Sequence, residues 1–475
     1  MTNGHPVAGE PMTARDALNY YFETDRTPGS IVHGLVVDAV ASDHPVRTHD
    51  DAVFFARGIL DLHPLFRRRL HTVTANLSFP LWVDCDVTVA DHVFVHHAHG
   101  DDDHDFLRRR VIDASRTPFD FGAPAWQLHF VTDLHGVPGV PAGGTVMLFK
   151  VHHSAIDGMG TTDLVHRMLA PAGTDTAGFD ADSYRRTITP IPSTWSAART
   201  LPKGLLHLGR AALARARAMR RLDPADRPVA HKYPATRFNT NTTPDMSFDL
   251  TWFELDLIRR IKSSVEGATV NDVIMTIVSL AISEYLGHDM PEHTLGASFP
   301  VNVRPISSGG DTANQLAIAV VDLATDVADP MDRLEAVSGA ARERKAELAR
   351  RVALLPPHPL SSAPAPVLAA VARLMPRRPA KPTTTSTNTM VSNIAYGNQP
   401  MELLGAPVVG VFAPLPVVEG VQLAHVVVST GGRMCLTAVS HRGLMPDMSR
   451  YVECLQNALE QLAVASSATP RLAVG

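Results

Sequence analysis

Cysteine is nearly missing from this 475-residue chain: Cys85, Cys435 and Cys454 are odd in number and far apart. That excludes a disulfide framework and the paired short spacings of a zinc site, and it suits a reducing, cytoplasmic setting. The opening MTNGHPVAGEPMTARD has neither the basic stretch nor the apolar run of a secretory signal. Long apolar runs are absent too. The longest uncharged one, Leu403 to Val418, carries Pro407, Pro414 and Pro416 and falls short of the ~20 residues that span a bilayer. There is no excess of positive charge: the formal net charge is -5, which excludes nucleic acid as an expected partner.

What is present is an ordinary globular composition, 45% hydrophobic and 19% charged, in a chain longer than one core usually organises. Two α/β domains are expected. Helices are predicted near Ala14 to Glu23 and Asp51 to Leu62, strands at Ser30 to Val37, Ala125 to Asp133 and Thr145 to Val151. Between Pro171 and Pro234 the composition turns to Ala, Arg, Pro, Ser and Thr, so the boundaries are set at 1–185 for an N-terminal domain, 186–235 for a crossover linker and 236–475 for a C-terminal domain.

Within the linker, Leu205, Leu208, Ala212, Ala216, Met219 and Leu222 share one helical side, and Arg210, Arg217, Arg220 and Arg221 the other. The commoner outcome for such a helix is packing on its own protein. The same pattern also admits a peripheral position on the inner membrane face or a lipid-droplet surface, against which Arg215 near the apolar side counts. In the second domain, strands are predicted at Met246 to Leu255, Leu295 to Val303 and Leu316 to Leu323, a helix starts near Asn271, and a charged helix covers Pro330 to Arg350. Strands near Met390 to Ile394, Val408 to Pro414, His425 to Thr430 and Met434 to Val439 are expected to close the second sheet.

The chemistry concentrates in His152-His153-Ser154-Ala155-Ile156-Asp157-Gly158, at the end of a predicted strand. Neighbours on a strand face opposite ways, so one histidine should meet a cavity and the other a packed layer. A neutral imidazole accepts a hydroxyl proton near neutral pH. Asp157, followed by Gly158, would hold a tight turn by pairing with a distant cation, for which Arg304 is the candidate. A metal site is not expected, because adjacent strand histidines diverge and the segment has no H-E-x-x-H frame. No serine sits in G-x-S-x-G. Gly158-Met159-Gly160 fails as a dinucleotide loop because Asp163 occupies the third glycine position. Two buried histidines satisfied by backbone remain the structural alternative.

The segment resembles the H-H-x-x-x-D-G signature of the chloramphenicol acetyltransferase-like superfamily. Several further segments resemble its bacterial wax ester synthase/diacylglycerol acyltransferase branch: Pro80-Leu81-Trp82, Asn271-Asp272 at a helix start, Pro300-Val301-Asn302-Val303-Arg304, Ser392-Asn393, and the run from Leu404 to Asp447. The resemblance implies two chloramphenicol acetyltransferase-like α/β domains with a tunnel at their interface. It also implies acyl-CoA as co-substrate with no other cofactor, a hydroxyl-bearing lipid acceptor, His153 as general base and His152 as its support. Trp82, Asn271, Asp272, Arg304, Ser392 and Asn393 are then expected to bind substrate or support the site. For Asn271 an N-cap role is the stronger explanation.

The sequence departs from the family pattern at Ser392-Asn393-Ile394-Ala395-Tyr396-Gly397, which lacks the usual proline, and at Ser429-Thr430, where a Ser-Tyr pair is usual. Two other readings therefore stand beside neutral-lipid synthesis: acylation of a specialised metabolite from acyl-CoA or a carrier-protein thioester, and a catalytically silent lipid- or partner-binding homologue.

Overall fold

The computed structural model describes residues 8–24, 26–171, 173–174, 188–223, 227, 231–241, 245–302, 316–374 and 382–468. In chain order the helices are α1 (Ala14–Tyr21), α2 (His49–Ile59), α3 (Asp103–Arg116), α4 (Gly158–Met168), α5 (Thr194–Arg221), α6 (Leu255–Lys262), α7 (Val270–Leu286), α8 (Pro330–Leu354), α9 (Ala365–Leu374) and α10 (Met448–Ala468). The strands up to the first domain's end are β1 (Ala8–Pro11), β2 (Ser30–Val37), β3 (Arg68–His71), β4 (Leu81–Asp84), β5 (Val93–His97), β6 (Trp126–Leu134), β7 (Gly144–His152) and β8 (Thr189–Pro190). They continue as β9 (Tyr233–Pro234), β10 (Met246–Glu254), β11 (Gly296–Asn302), β12 (Leu316–Asp322), β13 (Thr384–Thr385), β14 (Thr389–Gly397), β15 (Glu402–Leu403), β16 (Ala406–Phe412), β17 (Ala424–Thr430) and β18 (Arg433–His441).

The chain divides into two compact units. The first comprises Met1–Arg217, Pro356–Pro376 and Gln399–Val411, and the second Ala218–Leu355, Arg377–Asn398 and Phe412–Gly475. These are not the continuous blocks set from composition, because two later segments return to the first unit. The clearest case is β16: the strand expected to close the second sheet joins the first, with Asp38 N–H donating to the Pro407 carbonyl at 3.0 Å. An apolar strand carries no local mark of the sheet that will accept it, since pairing is a long-range choice.

The first unit holds a six-stranded sheet in the order β15-β16-β2-β7-β6-β5 and a four-stranded sheet β3-β4-β1-β8. Strand β7 is central: Ser30 of β2 stands opposite His152, and Trp126 of β6 opposite Val151, both pairings antiparallel. Its Val146-Met147-Leu148-Phe149 run suits a strand covered on both faces. Helix α2 starts with a capping box, Thr48 and Asp51 satisfying each other's backbone N–H.

The second unit holds the sheet β10-β18-β17-β14-β11-β12 and the ribbon β13-β9. Its core is built on α7, which is buried from Asp272 to Ile282. Among the described residues, Val270–Asp289 is long and apolar enough to cross a membrane by composition, but most of it lies inside this unit's own core.

Helix α5 departs from the expectation of a packed linker helix. It starts at Thr194 and runs through Pro202, and among its residues only Ala197 is buried. Leu205, Ala212 and Ala216 of the predicted inner face are exposed. Arg215, by contrast, is half-buried and donates from Nη1 to the Pro356 carbonyl.

Candidate active site

All nine residues of β7 are buried, including Lys150 and His152. Burying such groups unpartnered would cost roughly 2–7 kcal/mol or more, so each must be satisfied locally. Lys150 Nζ donates to the Thr117 carbonyl at 2.6 Å and to Gln127 Oε1 at 3.2 Å, and it lies 4.3 Å from the centre of the Phe119 ring. Burial brings its pKa down to about 8, opposed by the Glu23 carboxylate.

The strand's alternation then separates the two histidines. His152 is sealed, with the edges of Phe119 and Phe121 against it at centroid distances of 6.1 and 4.9 Å. Its Nδ1 accepts the Ser154 N–H at 3.1 Å and lies 2.5 Å from Ser154 Oγ. That leaves the ring proton on Nε2. Nε2 stands 3.3 Å from Glu23 Oε2, without the alignment of a hydrogen bond.

Glu23 in turn accepts the Gly29 N–H through Oε1 at 3.3 Å. Burial raises the Glu23 carboxyl, yet the contact with His152, the Gly29 N–H and the Lys150 charge outweigh it and bring its pKa below the ordinary value. Gly29 is required here, because a Cβ at that position would collide with His152 Nε2.

His153 is turned the other way. Its backbone N–H donates to the Gly29 carbonyl at 2.8 Å, and its side chain is exposed to solvent. Asn19 of α1 places Nδ2 3.2 Å from His153 Nδ1 and 3.4 Å from the His153 carbonyl oxygen. Desolvation is the leading influence on the ring and holds its pKa below 6.5. Its own backbone carbonyl, Asp157 and Asp16 pull upward without reversing this, while His152 adds to the depression. Among the described residues, none hydrogen-bonds Nε2.

Asp157 is the N-cap of α4, its Oδ1 accepting the Gly160 N–H at 2.7 Å. The turn is thus held locally; Arg304, the partner expected for Asp157, lies outside the described residues. Gly158 is not the glycine the turn needs, as a Cβ there would meet open space. At Gly160 a Cβ would come within 2.8 Å of Ile156 Cγ1.

Trp82 packs in a cluster with Met12, Leu70 and Phe119, against which Ala155 of the motif rests. In the second unit, α7 is capped by Thr269, not by Asn271. Thr269 and Asp272 form a capping box, and Asp272 Oδ2 also accepts from Ser338 Oγ at 3.3 Å. Asn271 sits in the first turn, with Nδ2 3.9 Å from Met275 Sδ. Ser392 is half-buried and Asn393 exposed on β14.

Asn19, Glu23 and Lys150 escaped the sequence reading. Lys150 alone left a signal: a lysine inside an apolar central strand must have a partner.

Matches to family models make this α/β protein an acyltransferase. A family model described as the wax ester synthase/diacylglycerol acyltransferase catalytic domain matches residues 12–274, and one described as the WS/DGAT C-terminal domain matches residues 312–463. The chain belongs to the wax ester synthase/diacylglycerol acyltransferase family.

Two Mycobacterium tuberculosis proteins provisionally named diacylglycerol O-acyltransferases are similar to it. One is 27% identical over 366 residues, covering 74% of this chain and 76% of that protein. The other is 25% identical over 490 residues, covering 97% and 92%. Among solved structures, the wax ester synthase/diacylglycerol acyltransferase of Marinobacter aquaeolei VT8 superposes with a TM-score of 0.65 at 19% identity, covering 96% of this chain and 100% of that one. The trichothecene 15-O-acetyltransferase of Fusarium sporotrichioides gives 0.58 at 12% identity, covering 98% and 97%. At these identities the structural likenesses bear on the fold alone.

Proposed function

We propose that the protein transfers a fatty acyl group from acyl-CoA to the hydroxyl of a long-chain alcohol or diacylglycerol, in the cytoplasm, with Nε2 of His153 as general base. The observation that carries this reading is the asymmetry of the His153 ring. Nδ1 faces the Asn19 amide at 3.2 Å, while among the described residues none occupies Nε2. When Nδ1 carries the ring proton, with the Asn19 amide turned so that its oxygen accepts it, the lone pair lies on Nε2, and the depressed pKa keeps the ring neutral near pH 7.

In the reaction, Nε2 accepts the acceptor's hydroxyl proton as the oxygen bonds to the thioester carbonyl carbon. The C–S bond then breaks and the imidazolium returns the proton to the departing CoA sulfur. A thioester is already activated, so the step needs neither an acyl-enzyme nor a cofactor beyond the acyl-CoA co-substrate. Asn19 and the Asp157-capped turn fix where the ring stands, which is how positioning adds to rate. Incubation with labelled palmitoyl-CoA and either hexadecanol or diolein should give labelled wax ester or triacylglycerol. Absence of labelled ester from both acceptors would redirect the reading to acylation of a non-lipid hydroxyl.

A further inference from the structure

Helix α5 leaves unexplained surface. Its 28 residues hold seven cationic side chains and no acidic one, in a chain whose net charge is -5. Trp195, Leu205, Leu206 and Leu213 are exposed at 67%, 46%, 56% and 51%. Arg199, Lys203, Arg210 and Arg217 are exposed beside them. The Arg199 guanidinium lies 4.7 Å from the centre of the Trp195 ring, a cation resting on an amphipathic aromatic.

Helix α9 of the same unit adds to this surface. Gly204 allows the approach, since a Cβ there would come within 2.8 Å of Pro364 Cγ just ahead of α9. Between the helices runs a groove of about 560 Å³ lined by apolar residues, among them Leu201 and Leu205 from α5 and Pro366, Val367, Val371 and Leu374 from α9. Leu374 is 80% exposed, and Arg373 next to it is exposed as well. Helix α9 packs on α1, the helix that brings Asn19 to His153.

We propose that the first unit docks on an anionic phospholipid bilayer through α5 and α9. The groove and its exposed leucines take up acyl chains, while Arg199, Lys203, Arg210 and Arg217 meet lipid phosphates. Two features favour this occupant over a second copy of the chain. A partner carrying the same acid-free, cationic helix would be repelled on self-association. The apolar residues are also interleaved with the cations along the helix, as at a headgroup boundary, instead of being set behind a polar rim. Docked in this way, the lipid surface lies against α9, which rests on the helix that positions the reactive histidine, so a lipid acceptor is offered on that side of the unit. This consequence rests on the acyl-transfer reading; the binding itself does not.

The test is flotation of the full chain with phosphatidylcholine vesicles and with vesicles containing phosphatidylglycerol, without acyl-CoA, so that its result is independent of turnover. The expected outcome is at least tenfold stronger partitioning to the anionic vesicles, weakened by salt. Partitioning should be lost in Arg199→Glu/Lys203→Glu/Arg210→Glu and separately in Leu205→Asp/Leu374→Asp, with circular dichroism and CoA release on detergent-dispersed acceptor unchanged. Equal binding to both vesicle types, no binding to either, or native binding by both variants would overturn the proposal. So would a native dimer that Leu205→Asp/Leu374→Asp converts to monomer, since the occupant would then be a second copy.

Discussion

His153 directly follows a strand of one six-stranded sheet and His425 lies within a strand of the other, and their surroundings differ in the one respect that matters for chemistry. His425 is fully buried, its Nδ1 3.1 Å from Thr389 Oγ1 and 3.3 Å from the Met390 carbonyl, its Nε2 2.8 Å from the Tyr451 hydroxyl. Both nitrogens are used, and burial brings the pKa to about 4. His153 uses Nδ1 only and meets solvent. A histidine with both nitrogens engaged is part of the structure; one with a nitrogen left open can exchange a proton with a ligand.

The comparison breaks most visibly by truncation. His153→Ala should lower kcat/KM by about 10²-fold or more, the scale of general-base catalysis, with unfolding unchanged. His425→Gln should do the reverse, costing about 1–3 kcal/mol of stability through unsatisfied buried partners, with turnover retained. Thiol release and chemical denaturation measured on both variants check the pair.

Next in size is the brace beneath the motif. Glu23→Gln should lower kcat by about tenfold with KM little altered, as when a carboxylate that orients an imidazole is neutralised. If KM rises and kcat holds, Glu23 belongs to a binding surface instead.

The glycines sharpen the contrast further. Gly29→Ala forces His152 or the backbone to move and should cost ~1–3 kcal/mol of stability as well as activity. Gly158→Ala, with open space around its Cβ position, should stay within about 0.5 kcal/mol of the native protein. Urea midpoints of the two variants distinguish these outcomes.

The dependence of stability on pH is a property that both units share. His33 in the first unit and His425 in the second are held at about 4 by burial, below the unfolded value near 6.5. Between those values the unfolded chain binds more protons. Stability is therefore full above pH ~6.5 and falls as pH drops toward about 4, by up to ~1.4 kcal/mol per unit for each histidine. His425→Gln should flatten that slope, as denaturation at several pH values would read.

Much of this was legible in the sequence because the relevant signals are local. The strand before the motif, predicted at Thr145 to Val151, is β7 (Gly144–His152), and the helix predicted from Asn271 begins at Val270. Alternation along a strand gave the opposed histidines. Contacts that depend on distant chain segments were not legible. Glu23 reaches His152 across 129 positions, Asn19 reaches His153 across 134, and β16 crosses to the first sheet. Local rules misled where two of them competed. The linker helix read from Leu205 begins at Thr194 with Pro202 inside it, and Thr269 took the cap that Asn271 could have filled.

The most direct measurement is the titration of the His153 ring by NMR in the full chain, assigned by its loss in His153→Ala and set beside the acidic limb of kcat/KM. The account predicts one shared midpoint, below 6.5. A ring that titrates at or above 6.5, or a rate limb that ignores its titration, would contradict the assignment of His153 as the base.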